Sequence, residues 1–345
     1  MRSTRRLSCL FVVSSLLSPL ATASDNKNIE QRVAALESKV VEKSELWYRA
    51  LNISGVIEVE ARYTDPDSSN ASSDLAVATA ELSVDAALTE NLSAALVLIY
   101  EEDDFEVDIA TISYVHSTNG FSLALGQEYV PFGAYSTALV NDPLTEGIGE
   151  AREAAFIANY ENGYFVGAFY VFNGDQDEDG RDQLNNFGAR ITFVGDNVTL
   201  GADYISNLAD SDGLQEKNYG FSAGEDIVAG ASIYSELTFG PAQVFVEHLS
   251  ALDELAVDGG NSEPSATQFE VSFKAGNFTY SASYQETDEA QFLDLSEARV
   301  SVGLNTEILG GLGLGIELAK DEDYAGNGGT GESTNSLVFQ FAAEF

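Results

Sequence analysis

Apolar and polar residues alternate with a period of two over most of the chain after residue 50. In residues 51–63 one parity is apolar and the other largely polar, and residues 267–275, 278–286 and 296–304 repeat the pattern. Because successive side chains of a β-strand point to opposite faces, this period predicts strands with one apolar and one polar face. About 16 such strands are predicted, near residues 51–63, 75–87, 92–100, 105–115, 121–129, 152–160, 164–172, 184–194, 198–206, 227–239, 242–249, 267–275, 278–286, 296–304, 311–319 and 336–345.

The connections between these strands alternate in length. Tight turns such as Thr118-Asn119-Gly120 and Gly276-Asn277 interleave with mostly longer polar loops such as residues 130–151 and 207–226. A soluble sandwich has no reason to alternate its loops in this way, whereas a bacterial outer-membrane barrel has short periplasmic turns and long outer loops. We therefore predict an all-β transmembrane barrel of about 16 antiparallel strands. It occupies residues 51–345, has both termini in the periplasm, and contacts outer-membrane lipid and lipopolysaccharide.

Two further features favour a barrel. The chain ends in an alternating segment, Leu337 to Phe345, whose terminal aromatic residue is similar to the signal for outer-membrane barrel assembly. Aromatic residues of the apolar parity also gather near strand ends, as Tyr63 and Tyr129 do on the predicted outer side and Phe121 on the inner side. Such residues would form the two interfacial girdles of a barrel.

The first 23 residues have the pattern of a secretory signal peptide. Arg2, Arg5 and Arg6 precede an apolar run over residues 7–20, and Ala21-Thr22-Ala23 provides an A-x-A cleavage site. The alternative, a retained anchor helix, is disfavoured because the run is shorter than the roughly 20 residues that span a bilayer. Residues 1–23 are therefore predicted to be a cleaved signal peptide.

Residues 24–50 predict a short periplasmic coiled coil. Ile29, Val33, Leu36 and Val40 are spaced four, three and four residues apart, and charged residues fill the other faces. This is the heptad pattern of helices that associate through one apolar seam. The segment fits an oligomerisation or spacer helix, and a homotrimer is an expected assembly. A simple amphipathic helix that packs on the next domain is the alternative.

The charge of the chain excludes nucleic acid as a partner. The 345 residues include 56 acidic and 16 basic side chains, which give a formal net charge of −40. Phosphate backbones require clustered Lys and Arg, and this surface would repel them. The chain is also too apolar, at 44%, for a disordered acidic coil.

Enzymatic activity finds little support in the sequence. The single cysteine, Cys9, lies inside the predicted signal peptide, which excludes thiol catalysis and a disulfide scaffold for the mature chain. The two histidines, His116 and His248, stand in no recognisable constellation with Ser or Asp. We predict that the protein is not an enzyme and has no resident cofactor.

A barrel of this size leaves an aqueous channel, because barrels of 16 to 18 strands are too wide for side chains to fill. Residues 130–151 form the third outer loop, and its apolar residues predict that it folds inward and narrows the channel. A transverse electric field between opposite charges would then select solutes. The predicted constriction comprises the loop acids Asp142, Glu146 and Glu150, with Arg152, and the wall cations Arg62, Arg190 and Arg299.

One alternative and one further prediction accompany this proposed constriction. The loop acids could instead form a solvated face of the loop. The acids of the lumen parity also outnumber the bases, which predicts a preference for cations; they include Glu58, Glu60, Glu81, Asp203, Glu270 and Glu317.

A second candidate site is the acidic loop at residues 173–183. Asp175, Asp177 and Asp179, followed by Gly180, match the first half of a calcium-binding loop. The twelfth position is Asn186 instead of a bidentate Glu, so the sequence predicts only weakly bound calcium. A divalent-cation bridge to lipopolysaccharide and a solvated Asp-rich hairpin are the alternatives.

Several stretches resemble the LbtU-type siderophore porins. These are residues 126–133 (GQEYVPFG), 142–145 (DPLT), 149–153 (GEARE) and 172–175 (FNGD), in a chain with a short coiled coil before a barrel of about this length. The resemblance covers nearly the whole mature chain and implies a plug-free barrel that admits ferric siderophore. The sequence alone leaves two alternatives, a general cation-preferring diffusion porin and an adhesin or structural barrel.

Overall fold

The computed structural model describes residues 32–33, 50–101, 104–116, 119–174, 184–216, 227–257, 260–326 and 329–345. The chain divides into two units, Met1–Arg49 and Ala50–Phe345. The predicted signal peptide lies outside the described residues. Of the predicted coiled coil, Arg32 and Val33 are described as helical, together with Ala50 at its end. No helix in the described ranges is long and apolar enough to cross a membrane.

The second unit is a closed antiparallel barrel, as the alternation predicts. Sixteen strands of the described residues form it, and the first strand pairs with the last. The barrel strands are β1 Leu51–Pro66, β2 Ser72–Ala87, β3 Leu92–Glu101, β4 Asp104–Val115, β5 Phe121–Tyr129, β6 Arg152–Glu161, β7 Phe165–Asn173, β8 Asn186–Val194, β9 Val198–Ile205, β10 Gly230–Phe239, β11 Ala242–Ala251, β14 Ser265–Ala275, β15 Phe278–Asp288, β16 Ala298–Leu309, β17 Leu312–Glu322 and β18 Ser333–Glu344.

The C-terminal residue completes the closure of the barrel. The backbone N–H of Phe345 donates to the carbonyl of Gly55, and the N–H of Gly55 donates to the carbonyl of Phe345, each over 3.1 Å. The register continues along β1 and β18, where Arg62 lies opposite Val338. Because the sheet closes on itself, each strand of the barrel has a hydrogen-bonded neighbour on both sides, which is the arrangement that a hydrocarbon environment requires.

The two parities of each strand differ in exposure. Phe269, Tyr284 and Val300 point outward and are 45–51% exposed, whereas their inward neighbours Glu270 and Gln285 are buried. Large apolar side chains on the outside and polar side chains on the inside reverse the usual arrangement of a soluble protein. This inversion is the pattern of a barrel whose outer face meets lipid.

Two connections at the rim of long loops depart from the simple long polar loop, and the first of them has the short length that the predicted strand bounds leave for it. β3 ends at Glu101 and β4 begins at Asp104, so this connection is as short as the turns at the opposite rim. The connection from β11 to β14 contains a small hairpin, β12 Leu255–Val257 and β13 Gly260–Ser262, that the sequence analysis did not predict. Three-residue strands are too short to show an alternating pattern.

One side of the barrel interior holds an apolar core. Phe132 and Ile148 of the β5–β6 loop and Leu208 and Leu214 of the β9–β10 loop are at most 2% exposed. They belong to one cluster of buried residues that also contains Leu249 on the wall. The expectation of a water-filled interior is therefore too simple, because these two inward-folded loops occupy the side of the lumen formed by β6 to β14.

Candidate functional site

The connection between β5 and β6, residues 130–151, lies inside the barrel, and we call it the inner loop. Phe132 near its start and Ile148 near its end are 2% and 0% exposed and pack in the apolar core. A short helix, Glu146–Gly149, precedes β6. A Cβ atom on Gly149 would collide with the end of the Leu249 side chain, so glycine lets this helix approach the wall without displacing that side chain. Both ends of the inner loop are thus fixed by burial.

Four carboxylates of the wall bind the middle of the inner loop, and we call Asp203, Glu247, Glu270 and Glu317 the anchoring carboxylates. The backbone N–H of Gly133 donates to Asp203 over 2.9 Å. The N–H groups of Ala134 and Tyr135 donate to the two oxygens of Glu247 over 2.7 Å and 3.0 Å. Backbone donors removed from water need a partner, and an ionised carboxylate is the strongest acceptor available.

The same pattern continues around the wall. The N–H of Ala138 donates to Glu270 over 2.7 Å. The N–H groups of Val140 and Asn141 both donate to Oε2 of Glu317, over 2.7 Å and 2.8 Å. The inner loop therefore crosses the lumen along β9, β11, β14 and β17, with its backbone donors turned toward the wall.

Two glycines of the wall make room for this path. A Cβ atom on Gly303 would lie 2.6 Å from Leu139 Cδ2, and one on Gly315 would lie 2.8 Å from Val140 Cγ2. Neither distance is tolerable for real atoms unless the Leu139 or Val140 side chain moves. The apolar side chains of the inner loop can approach the wall because β16 and β17 have no side chain at these positions.

The predicted wall arginines lie in the lumen but bind the inner loop. Arg190 forms an ion pair with Asp203 over 2.7 Å and donates to the carbonyl of Gly133. Arg299 donates to the carbonyl of Asp142 over 3.0 Å, and Arg62 donates to the side chain of Asn141 over 2.8 Å. These guanidinium groups hold the loop, so they do not face it across an open channel as the sequence analysis expected.

Arg152 lies apart from the other predicted cations. Its guanidinium group forms ion pairs with Asp108 over 2.9 Å and with Glu106 over 2.8 Å, both on β4. It occupies the same strand parity as the exposed residues Ala154 and Phe156. The structure therefore does not bring the Arg152 side chain together with the predicted loop acids.

The three predicted loop acids line one cavity of about 380 Å³. Asp142, Glu146 and Glu150 share it with Asp212 of the β9–β10 loop and with Arg299. Asp142 as a whole residue is exposed where it lines this cavity, although neighbouring protein surrounds much of its carboxyl group. Surrounding protein desolvates this carboxyl group and raises its pKa, and the charge of Glu60 raises it further, against the opposing effect of Arg299. The cavity is predominantly acidic.

The acids of the lumen parity fall into two groups. Asp203, Glu270 and Glu317, which the sequence analysis counted toward a cation preference, are at most 5% exposed and are occupied by the inner loop. Glu58 and Glu81, on β1 and β2, are only half-buried. We call these two the pore-wall acids. The lumen is thus accessible along β1 and β2, and filled on the side of the apolar core.

Sequence reasoning missed Glu247. It is fully buried and accepts four hydrogen bonds, from Ala134, Tyr135, Ser232 and Thr145. The available signal was its parity on β11, which it shares with buried Leu249 on the inward face. An inward carboxylate beside buried apolar residues indicates a bound partner.

The predicted calcium ligands Asp175, Asp177 and Asp179 lie outside the described residues. Among the residues that the structure describes, no group of three or more His, Cys, Asp or Glu side chains could hold a metal ion. Weak calcium binding by this loop stays a prediction.

No family model matches the chain. It is similar to a UPF0422 protein of Coxiella burnetii, 29% identical over 228 residues, which is 60% of this chain and 49% of that protein. It is also similar to the UPF0422 protein lpp3030 of Legionella pneumophila, 26% identical over 351 residues, which is 86% of this chain and 66% of that protein. The chain thus spans between half and two thirds of the length of these curated relatives. The resemblance to LbtU-type siderophore porins stays a prediction.

Solved porins have a similar fold. OmpF of Salmonella typhi, in a complex with daunomycin, has a TM-score of 0.63 at 10% identity, over 86% of this chain and 97% of that chain. OprB of Pseudomonas putida has a TM-score of 0.61 at 9% identity, over 88% of this chain and 96% of that chain. The trimer form of OmpT of Vibrio cholerae has a TM-score of 0.55 at 11% identity, over 86% of this chain and 100% of that chain. The chain has the fold of these outer-membrane porins.

Proposed function

We propose that the protein is an outer-membrane channel through which small solutes diffuse, with a preference for cations. The path runs along β1 and β2, between the pore-wall acids and the tip of the inner loop. The porin fold supports a channel. The charge preference rests on one observation, namely that the wall arginines are bound to the inner loop while Glu58, Glu81 and Asp142 are accessible from the lumen.

The electrostatic consequence follows from the environment of these acids. Charges inside a narrow channel with low-dielectric walls attract ions of the opposite sign and exclude ions of the same sign. Arg62, the nearest wall cation on β1, is neutralised locally by Glu60 at 3.0 Å. The accessible part of the lumen therefore carries a negative potential, which favours cations over anions.

Passage of ferric siderophores is a narrower proposal for the same channel, and it rests on the resemblance alone. The apolar core leaves a smaller path than an open barrel of this size, and a negative potential disfavours an anionic ferric complex. A neutral or cationic complex fits the path better. Lipopolysaccharide around the outer rim and a homotrimer are further proposals, and the trimer form of Vibrio cholerae OmpT has a similar fold.

Planar-bilayer recording of the refolded protein tests the channel and its preference. We expect discrete conductance steps, and under a gradient of potassium chloride a reversal potential of the sign given by cation permeation. A panel of ferric siderophores is then added on the outer side. Saturable block by one of them supports siderophore passage, whereas unblocked current supports a general porin. Absence of conductance steps contradicts the channel itself.

A further inference from the structure

Polar atoms without hydrogen-bond partners gather at the inner loop. Within the described part of the chain, four of the five buried side-chain atoms of this kind are Tyr135 OH in the loop and Gln268 Oε1, Ser301 Oγ and Glu317 Oε1 on the wall. The three wall residues are at most 1% exposed. A buried polar atom without a partner costs free energy, since it has lost its hydrogen bonds to water. The contact between loop and wall is thus imperfectly satisfied.

These wall atoms lie beneath the middle of the inner loop. Gln268 donates to the carbonyl of Ser136 over 3.0 Å, and the second carboxylate oxygen of Glu317 accepts from Val140 and Asn141. On β16, Ser301 lies between the inward positions Gly303, which faces Leu139, and Arg299, which binds the carbonyl of Asp142. The loop segment 133–142 therefore covers all three atoms.

The backbone of the same segment is strained at Tyr135. Its φ angle is +47°, in the left-handed region that a bulky side chain rarely adopts. Such a conformation persists only where the surroundings enforce it. Here the enforcing contacts include the bond from its N–H to Glu247 and the packing of its ring against Gly133. Strain and an unpartnered hydroxyl thus coincide in one residue.

We infer that segment 133–142 is a movable element that exchanges between the seated position and a lifted position, while both ends of the inner loop stay fixed in the apolar core. Lifting relaxes Tyr135 and gives the covered polar atoms access to water. It costs the hydrogen bonds to the anchoring carboxylates. The free energy gained from relaxed strain and from hydration opposes the free energy lost with these hydrogen bonds, so the lifted position is a minor population. This inference rests on the proposed function only in that lifting would change the conductance.

Hydrogen exchange of the loop amides tests the exchange without requiring a channel. The backbone N–H groups of Ala134, Tyr135, Ala138 and Val140 all donate to anchoring carboxylates in the seated position, so they exchange only when the segment lifts. Removal of an unpartnered polar atom should stabilise the seated position. We expect the variants Tyr135→Phe and Ser301→Ala to slow exchange of these amides about tenfold.

Two control variants remove hydroxyl groups that have partners. Tyr170 is fully buried, and its hydroxyl donates to the carbonyl of Tyr204 over 3.3 Å. Ser283 lies directly opposite Ser301, and its Oγ accepts from Gln285 over 3.4 Å. Tyr170→Phe and Ser283→Ala should therefore leave exchange of the loop amides unchanged or make it faster.

The outcomes separate this inference from the proposed function. Slowing of about threefold or more in both test variants, without slowing in the controls, supports the movable segment. The inference is overturned if the test variants slow exchange by less than this, or if the controls slow it equally. It is also overturned if the loop amides of the native protein are as protected from exchange as the amides of the barrel strands. Bilayer recording of the same variants adds the functional arm, in which fewer conductance sublevels are expected in Tyr135→Phe. A native protein that does not conduct contradicts the proposed function and leaves the exchange result valid.

Discussion

The substitution Glu247→Gln tests how the inner loop is held. Glu247 uses both carboxylate oxygens: Oε1 accepts from Ala134 N and Ser232 Oγ, and Oε2 accepts from Tyr135 N and Thr145 Oγ1. Glutamine keeps one acceptor oxygen and places an NH2 group where the other was. That group is a donor. The hydroxyl of the pair that it faces can turn to accept from it, whereas the backbone N–H of that pair loses its acceptor.

The expected magnitude follows from the number of bonds lost. A hydrogen bond to a charged acceptor contributes about 1.5–3 kcal/mol and one between neutral groups about 0.5–1.5 kcal/mol, so the loss of one bond and the weakening of the other three amount to about 3–6 kcal/mol. Neutral glutamine avoids the cost of burying a full charge, which offsets part of this loss. The free energy that holds the inner loop against the wall therefore falls by about 3 kcal/mol. This is equivalent to a roughly hundredfold shift of the equilibrium toward a displaced inner loop.

Single-channel recording measures this shift as a larger and noisier conductance, and chemical denaturation measures the lowered free energy of unfolding. The matched control is Glu90→Gln, which removes one charge from an exposed position in the turn between β2 and β3. If Glu247→Gln and Glu90→Gln give the same conductance and the same stability as the native protein, the anchoring carboxylates do not position the inner loop.

Three further predictions concern single residues. Desolvation and the charge of Glu60 raise the pKa of Asp142, so acidification neutralises this carboxylate at a higher pH than an ordinary aspartate. The native protein and Asp142→Asn should therefore reach the same reversal potential at a pH above the usual aspartate pKa. A difference between their reversal potentials that remains down to the usual aspartate pKa contradicts the assignment. Gly303→Ala should lower the free energy of unfolding by about 1–3 kcal/mol, because its methyl group meets the inner loop. The control Gly310→Ala adds a methyl group in open space and should leave the free energy of unfolding unchanged. Equal effects of the two variants argue against a close approach of the inner loop to Gly303. Calorimetric titration of calcium should give weak heats that Asp177→Ala removes, and no heat from the native protein ends the calcium proposal.

The barrel could be predicted from the sequence because its lipid-facing and lumen-facing residues alternate along every strand. The pattern at residues 278–286 suffices to predict β15, and strand number and order follow from repeating the same reasoning. Inward folding of the third outer loop was also indicated, by apolar residues such as Phe132 that a solvated loop would not need.

The roles of the charged residues could not be predicted in the same way. Parity places Arg190 and Glu270 in the lumen, but it does not say whether such a side chain faces water or binds another part of the chain. Those partners are backbone groups of a loop that is far away in sequence. The filled side of the lumen was missed for the same reason, since Leu208 and Leu214 lie in a loop without periodicity.

The central claim is that the pore-wall acids, and not the anchoring carboxylates, give the channel its preference for cations. Reversal potentials of the double variant Glu58→Gln/Glu81→Gln and of Glu270→Gln, measured under one potassium chloride gradient, test it most directly. We predict that the double variant shifts the reversal potential toward zero. Glu270→Gln should keep the native value, because that carboxylate is buried under the inner loop. A native value in the double variant together with a shift in Glu270→Gln would contradict the division of the lumen acids.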